Sequence, residues 1–295
     1  MSGGASGRGL GAPVVGASFD AFLRALPRLA SAGPLRRRVL GEEHDLLDRF
    51  LAAIGVEDPR EIDSARRQRT MASLIHRVRG AYASLSPAAQ RRWLPLEDGV
   101  EPVLRSGGVL LLATHFGGGL LAPLALSRLG VPILTIIRSS KSPRLRASLE
   151  HPLLDLQDLE QVPGYAAAAK AVATLRGGGV VFLAGDLASE RATDNLETTV
   201  LGRASSVSRG FAEIALAGGV RPTPVFSRVE DDGRIVTWIE APLEAPGENR
   251  RARVDGLARA YGERLSEAFR RFPGNVSPVK MRRWLTSGSA TGGGR

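Results

Sequence analysis

The chain has no cysteine. Disulfides, thiolate catalysis and cysteine-ligated metal sites are therefore excluded. Aromatic residues make up only 5% of the sequence. No zinc signature, aromatic-rich basic module or coiled-coil basic region accompanies its arginines, which makes nucleic acid the weakest choice of anionic partner. Long apolar runs are also missing. No segment approaches the roughly 18–20 residues that cross a bilayer, and the first residues carry no continuous apolar core of the signal-peptide kind. The expectation is a cytoplasmic chain, with peripheral attachment to the inner face of the cell membrane as the remaining membrane reading. There is no Gly-Lys-Ser/Thr phosphate loop and no Gly-x-Gly-x-x-Gly turn opening a helix. His44, His76 and His151 stand in no ligand spacing with His115, so neither a metal nor a resident cofactor is expected.

What the chain does have is length, glycine and positive charge. Its 295 residues can bury a substantial core. Forty Lys+Arg against 30 Asp+Glu leave a formal charge of +10. That balance favours anionic partners: a phospholipid surface, an acidic carrier protein or a phosphorylated ligand. An arginine-rich proteome would produce the same balance without any such partner.

Residues 1–17 are rich in Gly, Ser and Ala and read as a disordered leader. From Ser18, a candidate cap, Phe19, Phe22, Leu23 and Leu26 share one helical face beside Arg24, Arg28 and the run Arg36 to Arg38. A basic amphipathic helix of this kind either lies on an anionic membrane surface or packs on the main domain with its arginines solvated. Gly33-Pro34 should end it. Helical patterns follow over Glu42–Ile54 and Asp63–Leu85, the second carrying His76 among arginines as a surface or packing residue. Trp93, Leu94 and Leu96 are expected to plug the junction with a sheet domain, after a helical region spanning 18–96.

An α/β domain is expected over 97–287, opening with a short helix at Glu97–Arg105; from Gly107 strands alternate with helices, and 288–295 read as a disordered tail. Gly107–Leu121 reads GGVLLLATHFGGGLL, a short apolar run bounded by glycines. Such a run predicts a strand buried on both faces. Gly117 and Gly118, in the cluster after it, would let the backbone turn and approach a ligand, which makes them candidate substrate-binding residues. Val131–Ile137 is a second strand, followed at once by Arg138, and Val180–Ala184 a third, followed by Gly185-Asp186. If these strands are parallel neighbours, His115, Arg138 and Asp186 meet at one edge of the sheet, where open α/β sheets bind ligands. Tyr165–Arg176, Gly210–Ala217 and Ala252–Arg271 read as helices. Thr198–Arg209 reads as a Ser/Thr-rich loop, and Asp231-Asp232-Gly233 as the turn of a hairpin joining Pro222–Val229 to Ile235–Glu240. The fold class expected is α/β, with a mixed, mostly parallel sheet flanked by helices.

His115 is the candidate general base, because a neutral imidazole can accept a proton near neutral pH. A serine hydrolase is disfavoured. Ser206-Val207-Ser208-Arg209-Gly210 lacks the first glycine of a nucleophile elbow and follows no expected strand.

The order THFGG, IIRSSKSP, AGD, LGRASSVSRG, RPTPVF, closing on Arg282-Arg283-Trp284, resembles the bacterial lipid A secondary acyltransferases over roughly Trp93–Thr286. These lauroyl and myristoyl transferases belong to the wider lysophospholipid acyltransferase group. The resemblance implies a glycerolphosphate acyltransferase-like fold. It also implies transfer of an acyl group from an acyl carrier protein or coenzyme A thioester to a lipid or small-molecule hydroxyl or amine. His115 matches the base of that group's His-x-x-x-x-Asp/Glu motif. Arg138, Lys141 and the pair Gly202-Arg203 match positions that hold phosphate or a developing oxyanion. Where the motif carboxylate belongs, this chain has Leu120. The group also carries an N-terminal membrane-spanning helix and a glutamine where Leu187 stands. Asp186 or Glu190 could supply the missing orienting carboxylate. Otherwise the protein is an impaired relative that binds lipid, acyl carrier or a partner enzyme without catalysis. On the catalytic reading, Leu120→Glu should raise a weak activity.

Overall fold

The structure is a computed structural model that describes residues 12–31, 33–138, 146, 149–186 and 195–287. Among them a six-stranded mixed sheet runs in the order β3-β2-β4-β1-β7-β8. Its strands are β1 (Val109–Ala113), β2 (Ile133–Ile137), β3 (Leu154–Asp158), β4 (Val180–Ala184), β7 (Pro222–Val229) and β8 (Ile235–Ile239). All neighbours are parallel except β7 and β8, which form the expected antiparallel hairpin. The fold is α/β with helices on both faces. Period-2 geometry explains the unbroken apolar run of β1. Leu110 and Leu112 point into one core cluster, Val109, Leu111 and Ala113 into the other. β3 escaped the sequence reading because LDLQD carries three polar residues in five and occupies the edge of the sheet.

The N-terminal helices are α1 (Ala12–Ser31), α2 (Gly33–Ala53) and α3 (Pro59–Val78), followed by a 3-10 turn at Arg79–Ser84 and α4 (Pro87–Trp93). Residues 12–17 are helical, so the leader reading holds at most for the residues before them, which lie outside the described set. Gly33-Pro34 opens α2, since a proline in the first turn forfeits no intrahelical bond. The apolar stripe of α1 is covered from within. Phe19, Leu23 and Leu26 pack with Met71, Ile75, Tyr82 and Trp93, and Trp93 Nε1 donates to Asp20 at 2.6 Å. Phe22 alone stays exposed, at 37%. From α2, Leu46, Leu47, Phe50 and Leu51 enter the largest core cluster beside the sheet residues, so the helical stretch and the sheet share one core.

Among the described residues the remaining α-helices are α5 (Val100–Arg105), α6 (Ala122–Ser127), α7 (Gly164–Arg176), α8 (Arg209–Gly218), α9 (Arg250–Arg271) and α10 (Pro278–Thr286). The Ser/Thr-rich stretch expected to be a loop is instead an antiparallel hairpin, β5 (Asn195–Val200) and β6 (Arg203–Ser208). Its signal was alternation: Leu196, Thr198 and Val200 are buried, while Glu197 and Thr199 are exposed. Leu201 and Gly202, both at positive φ, make its two-residue turn.

Candidate active site

The site grows out of the pairing of β1 with β4. Their register ends at Ala113 opposite Ala184, so residues two further along each strand, His115 and Asp186, leave the sheet side by side. Gly185 permits the approach, because a Cβ there would lie 2.2 Å from the Leu112 side chain. Asp186 is fully buried. Its Oδ1 takes a hydrogen bond from His115 Nδ1 at 2.9 Å. Its Oδ2 accepts from the His115 main-chain N–H at 2.9 Å and from the Thr114 hydroxyl at 2.6 Å. Behind it, the Lys280 ammonium of α10 lies 3.3 Å from Oδ2 and also donates to the Asp186 main-chain carbonyl. The Tyr261 hydroxyl of α9 donates to the Ala113 carbonyl at 2.9 Å, bracing the end of β1.

Burial opposes ionisation of Asp186. The Lys280 ammonium, His115 and the Thr114 hydroxyl outweigh it and hold the carboxyl well below the usual carboxylate range. A carboxylate only accepts, so Nδ1 of His115 must carry the proton. The neutral ring then presents its lone pair at Nε2, and the side chain is 28% exposed. An imidazole held this way by a buried carboxylate has the arrangement a general base requires.

Other anticipated residues fall elsewhere. Arg138 does leave β2, the neighbour of β4, at the same edge of the sheet. It is largely solvent-exposed, with Glu160 3.8 Å from its Nε. Lys141 and Glu190 lie outside the described residues. Gly202 turns the β5–β6 hairpin. Arg203 Nη1 donates to the carbonyls of Trp284, Leu285 and Ser287, capping the C-terminal end of α10, and its guanidinium lies 4.2 Å from the Trp284 ring centroid. A cation at that end of a helix satisfies carbonyls that have no partner within it.

Gly117 and Gly118, expected to face a ligand, lie against other parts of the chain on their Cβ sides. A Cβ on Gly117 would meet Ser227 O at 2.3 Å and Asn275 Oδ1 at 2.5 Å, and one on Gly118 the Ile235 side chain at 2.3 Å. The Gly117 N–H donates to Asn275 O, the Gly118 N–H to Ser227 O and the Gly119 N–H to Phe116 O. What lies against Gly117 and Gly118 is the Ser227 carbonyl and the Asn275 and Ile235 side chains, and those three N–H groups are already committed. Leu120 is half-buried and packs against the cluster of Val100, Leu104 and Leu111.

Thr114, Tyr261 and Lys280 were not anticipated. Lys280 is 94 residues from Asp186, and no local pattern marks it. His76 borders the site. Partial burial, with the charges of Arg79, Arg69, His115 and Arg77, lowers its pKa from 6.5 to about 4, and Arg79 Nη1 lies 2.8 Å from its Nδ1. The unfolded chain therefore takes up this proton before the fold does, and stability should fall as pH drops from 6.5 towards 4. His76→Gln should flatten that slope in urea titrations run across this range. The effect will be small, because His76 is an exposed residue and solvent screens its neighbours' charges.

A cavity of about 910 Å³ lies between the β5–β6 hairpin, α9 and α10, with Lys280, Arg259, Arg283 and Glu263 among its walls. Among the described residues there is no cluster of three metal-ligating side chains, and no helix is long and apolar enough to cross a membrane. No protein-family model matches the chain, and no curated protein matches it.

Proposed function

We propose that the protein is an acyltransferase with a glycerolphosphate acyltransferase-like active site. The observation that carries this reading is the 2.9 Å contact of His115 Nδ1 with buried, ionised Asp186, which leaves Nε2 as the basic atom. Nε2 takes the proton of an acceptor hydroxyl or amine as its oxygen or nitrogen attacks the thioester carbon of an acyl carrier protein or coenzyme A donor. The new C–O or C–N bond forms and the C–S bond breaks. The imidazolium then returns its proton to the departing thiolate. Asp186 orients the ring and stabilises its charged form, the role usually filled by the carboxylate this chain replaces with Leu120. Arg138 stands at the same sheet edge, where a cation can meet donor phosphate. The net charge of +10 suits an acidic carrier or an anionic lipid surface at the inner face of the membrane.

The absence of cysteine makes the test clean, since a thiol-reactive chromophore then reports only released coenzyme A or carrier thiol. Purified protein should release thiol from long-chain acyl donors in the presence of lipid acceptors, and His115→Ala should abolish the release. Binding of acyl donors without any release, and identical behaviour of His115→Ala, would instead support the non-catalytic binding reading that Leu120 motivates. With Asp186 already in place, Leu120→Glu should give no gain in turnover. It should cost about 1–3 kcal/mol in urea unfolding, because it puts a carboxylate against an apolar cluster.

A further inference from the structure

We propose that Lys280 is a positioning residue of this site, whose ammonium keeps Asp186 in the ionised form that holds the Nδ1–H of His115. The proposal rests on reading His115 and Asp186 as a working base and orienter. Asp186 has no exposure to water, so its charge must be supported by what touches it. Thr114 and the His115 main chain offer neutral donors. Among the described residues, Lys280 brings the one permanent positive charge that contacts the carboxylate. It also bonds the Asp186 main-chain carbonyl, so carboxylate and backbone are held by the same group.

Charged and titratable groups around the pair come from each side. α9 contributes Tyr261, whose hydroxyl burial and the Asp186 charge keep neutral. α3 and the turn after it contribute His76, which feels the charges of Arg79, Arg69, His115 and Arg77; the positive groups acting on Asp186 are Lys280 and His115. Lys280 sits in the first turn of α10, where Ser277 caps the helix. The far end of α10 is fixed by Trp284 Nε1 donating to Val200 O at 2.8 Å and by the Arg203 cap. The β5–β6 hairpin therefore reaches the site indirectly, by placing the helix that carries Lys280. The Lys280 side chain is 13% exposed on the cavity wall, too little for bulk water to replace its charge.

The test is nuclear magnetic resonance of labelled protein, which needs no substrate. In the native protein the Asp186 side-chain carbon should report a carboxylate from about pH 8 down to about pH 4. The neutral His115 ring should report a single tautomer, with the proton on Nδ1. In Lys280→Met the Asp186 carboxyl should titrate inside that range and the ring should populate both tautomers, while Lys280→Arg should restore the native pattern. Lys280→Gln, which keeps a donor and fills the space, serves if the methionine variant does not fold. A folded Lys280→Met or Lys280→Gln protein with Asp186 still ionised throughout and His115 still in one tautomer would overturn the proposal. In thiol-release assays Lys280→Met should lower kcat by about ten- to a hundredfold with KM little changed. Because the spectra are read without turnover, absence of acyl transfer would refute the proposed function and leave the role of Lys280 separately decided.

Discussion

Asp186→Asn is expected to lower thioester turnover by about 10³- to 10⁴-fold, most of it in kcat. The asparagine can still accept from Thr114 and the His115 main chain through its carbonyl oxygen. At the Oδ1 position, however, its NH₂ would face Nδ1 as a second donor. The ring then flips its tautomer, Nε2 becomes the protonated atom, and the base is lost while the fold remains. The substitution also leaves the Lys280 ammonium, 3.3 Å away and mostly buried, without its carboxylate. Breaking a buried pair from one side costs about 3–5 kcal/mol, and the residual exposure of Lys280 puts this case at the low end. Thiol release measured beside urea unfolding separates the two effects. A variant that is less stable yet turns over at the native rate would remove Asp186 from the mechanism. The pH behaviour has a definite sign. A folded-state pKa depressed below the unfolded value of about 3.9 contributes stability that is present above that value and lost as pH falls through the folded one. Asp186→Asn should therefore lack part of the native protein's acid-side loss.

Gly117→Ala should have the largest effect on folding. Gly117 sits at φ +49°, and its missing Cβ would overlap Ser227 O at 2.3 Å and Asn275 Oδ1 at 2.5 Å. Neither neighbour can give way. Ser227 O accepts from the Gly118 N–H. Asn275 Oδ1 accepts from the Val229 N–H at 2.7 Å, while its amide reaches Gln68 Oε1 at 3.1 Å and Val229 O at 3.3 Å. Asn275 is thus a buried clasp joining the loop after β1, strand β7 and helix α3. Backbone strain of about 1–3 kcal/mol adds to an overpacking cost of similar size, so the variant should lose several kcal/mol or fail to accumulate folded. Gly202→Ala is the control. Its φ is +75°, yet a Cβ there meets nothing within 4 Å, so only strain of about 1 kcal/mol applies. A stable Gly117→Ala protein that had lost donor binding would restore the ligand-facing role.

Much of this architecture could be read from residue order. β1 and β4 were legible because an apolar run of five between glycines has few other solutions, and the β7–β8 hairpin because Asp232-Gly233 separates two apolar strands. Edge strand β3 was hidden by its polar residues, and the β5–β6 hairpin by serines and threonines that resemble loop composition. The helix at residues 12–17 was hidden by glycine and alanine, with the stabilising contacts made further along α1 by Phe19, Leu23 and Leu26.

For the site, the sequence by itself determined which side chains end the buried strands: His115 after β1, Asp186 after β4 and Arg138 after β2. Strand periodicity and glycine placement are local properties, so they survive in one dimension. It also placed Leu120 five residues after His115, where the resemblance leads one to expect a carboxylate. Only the tertiary structure decided that Asp186 meets the His115 ring, because that depends on the parallel register of Ala113 with Ala184. Only it decided that Lys280 contacts Asp186 across 94 residues, that Arg203 caps a helix, and that the glycines after His115 make room for Ser227 and Asn275. These are contacts between elements distant in the chain. Their distances are set by packing, which no local pattern of residues encodes.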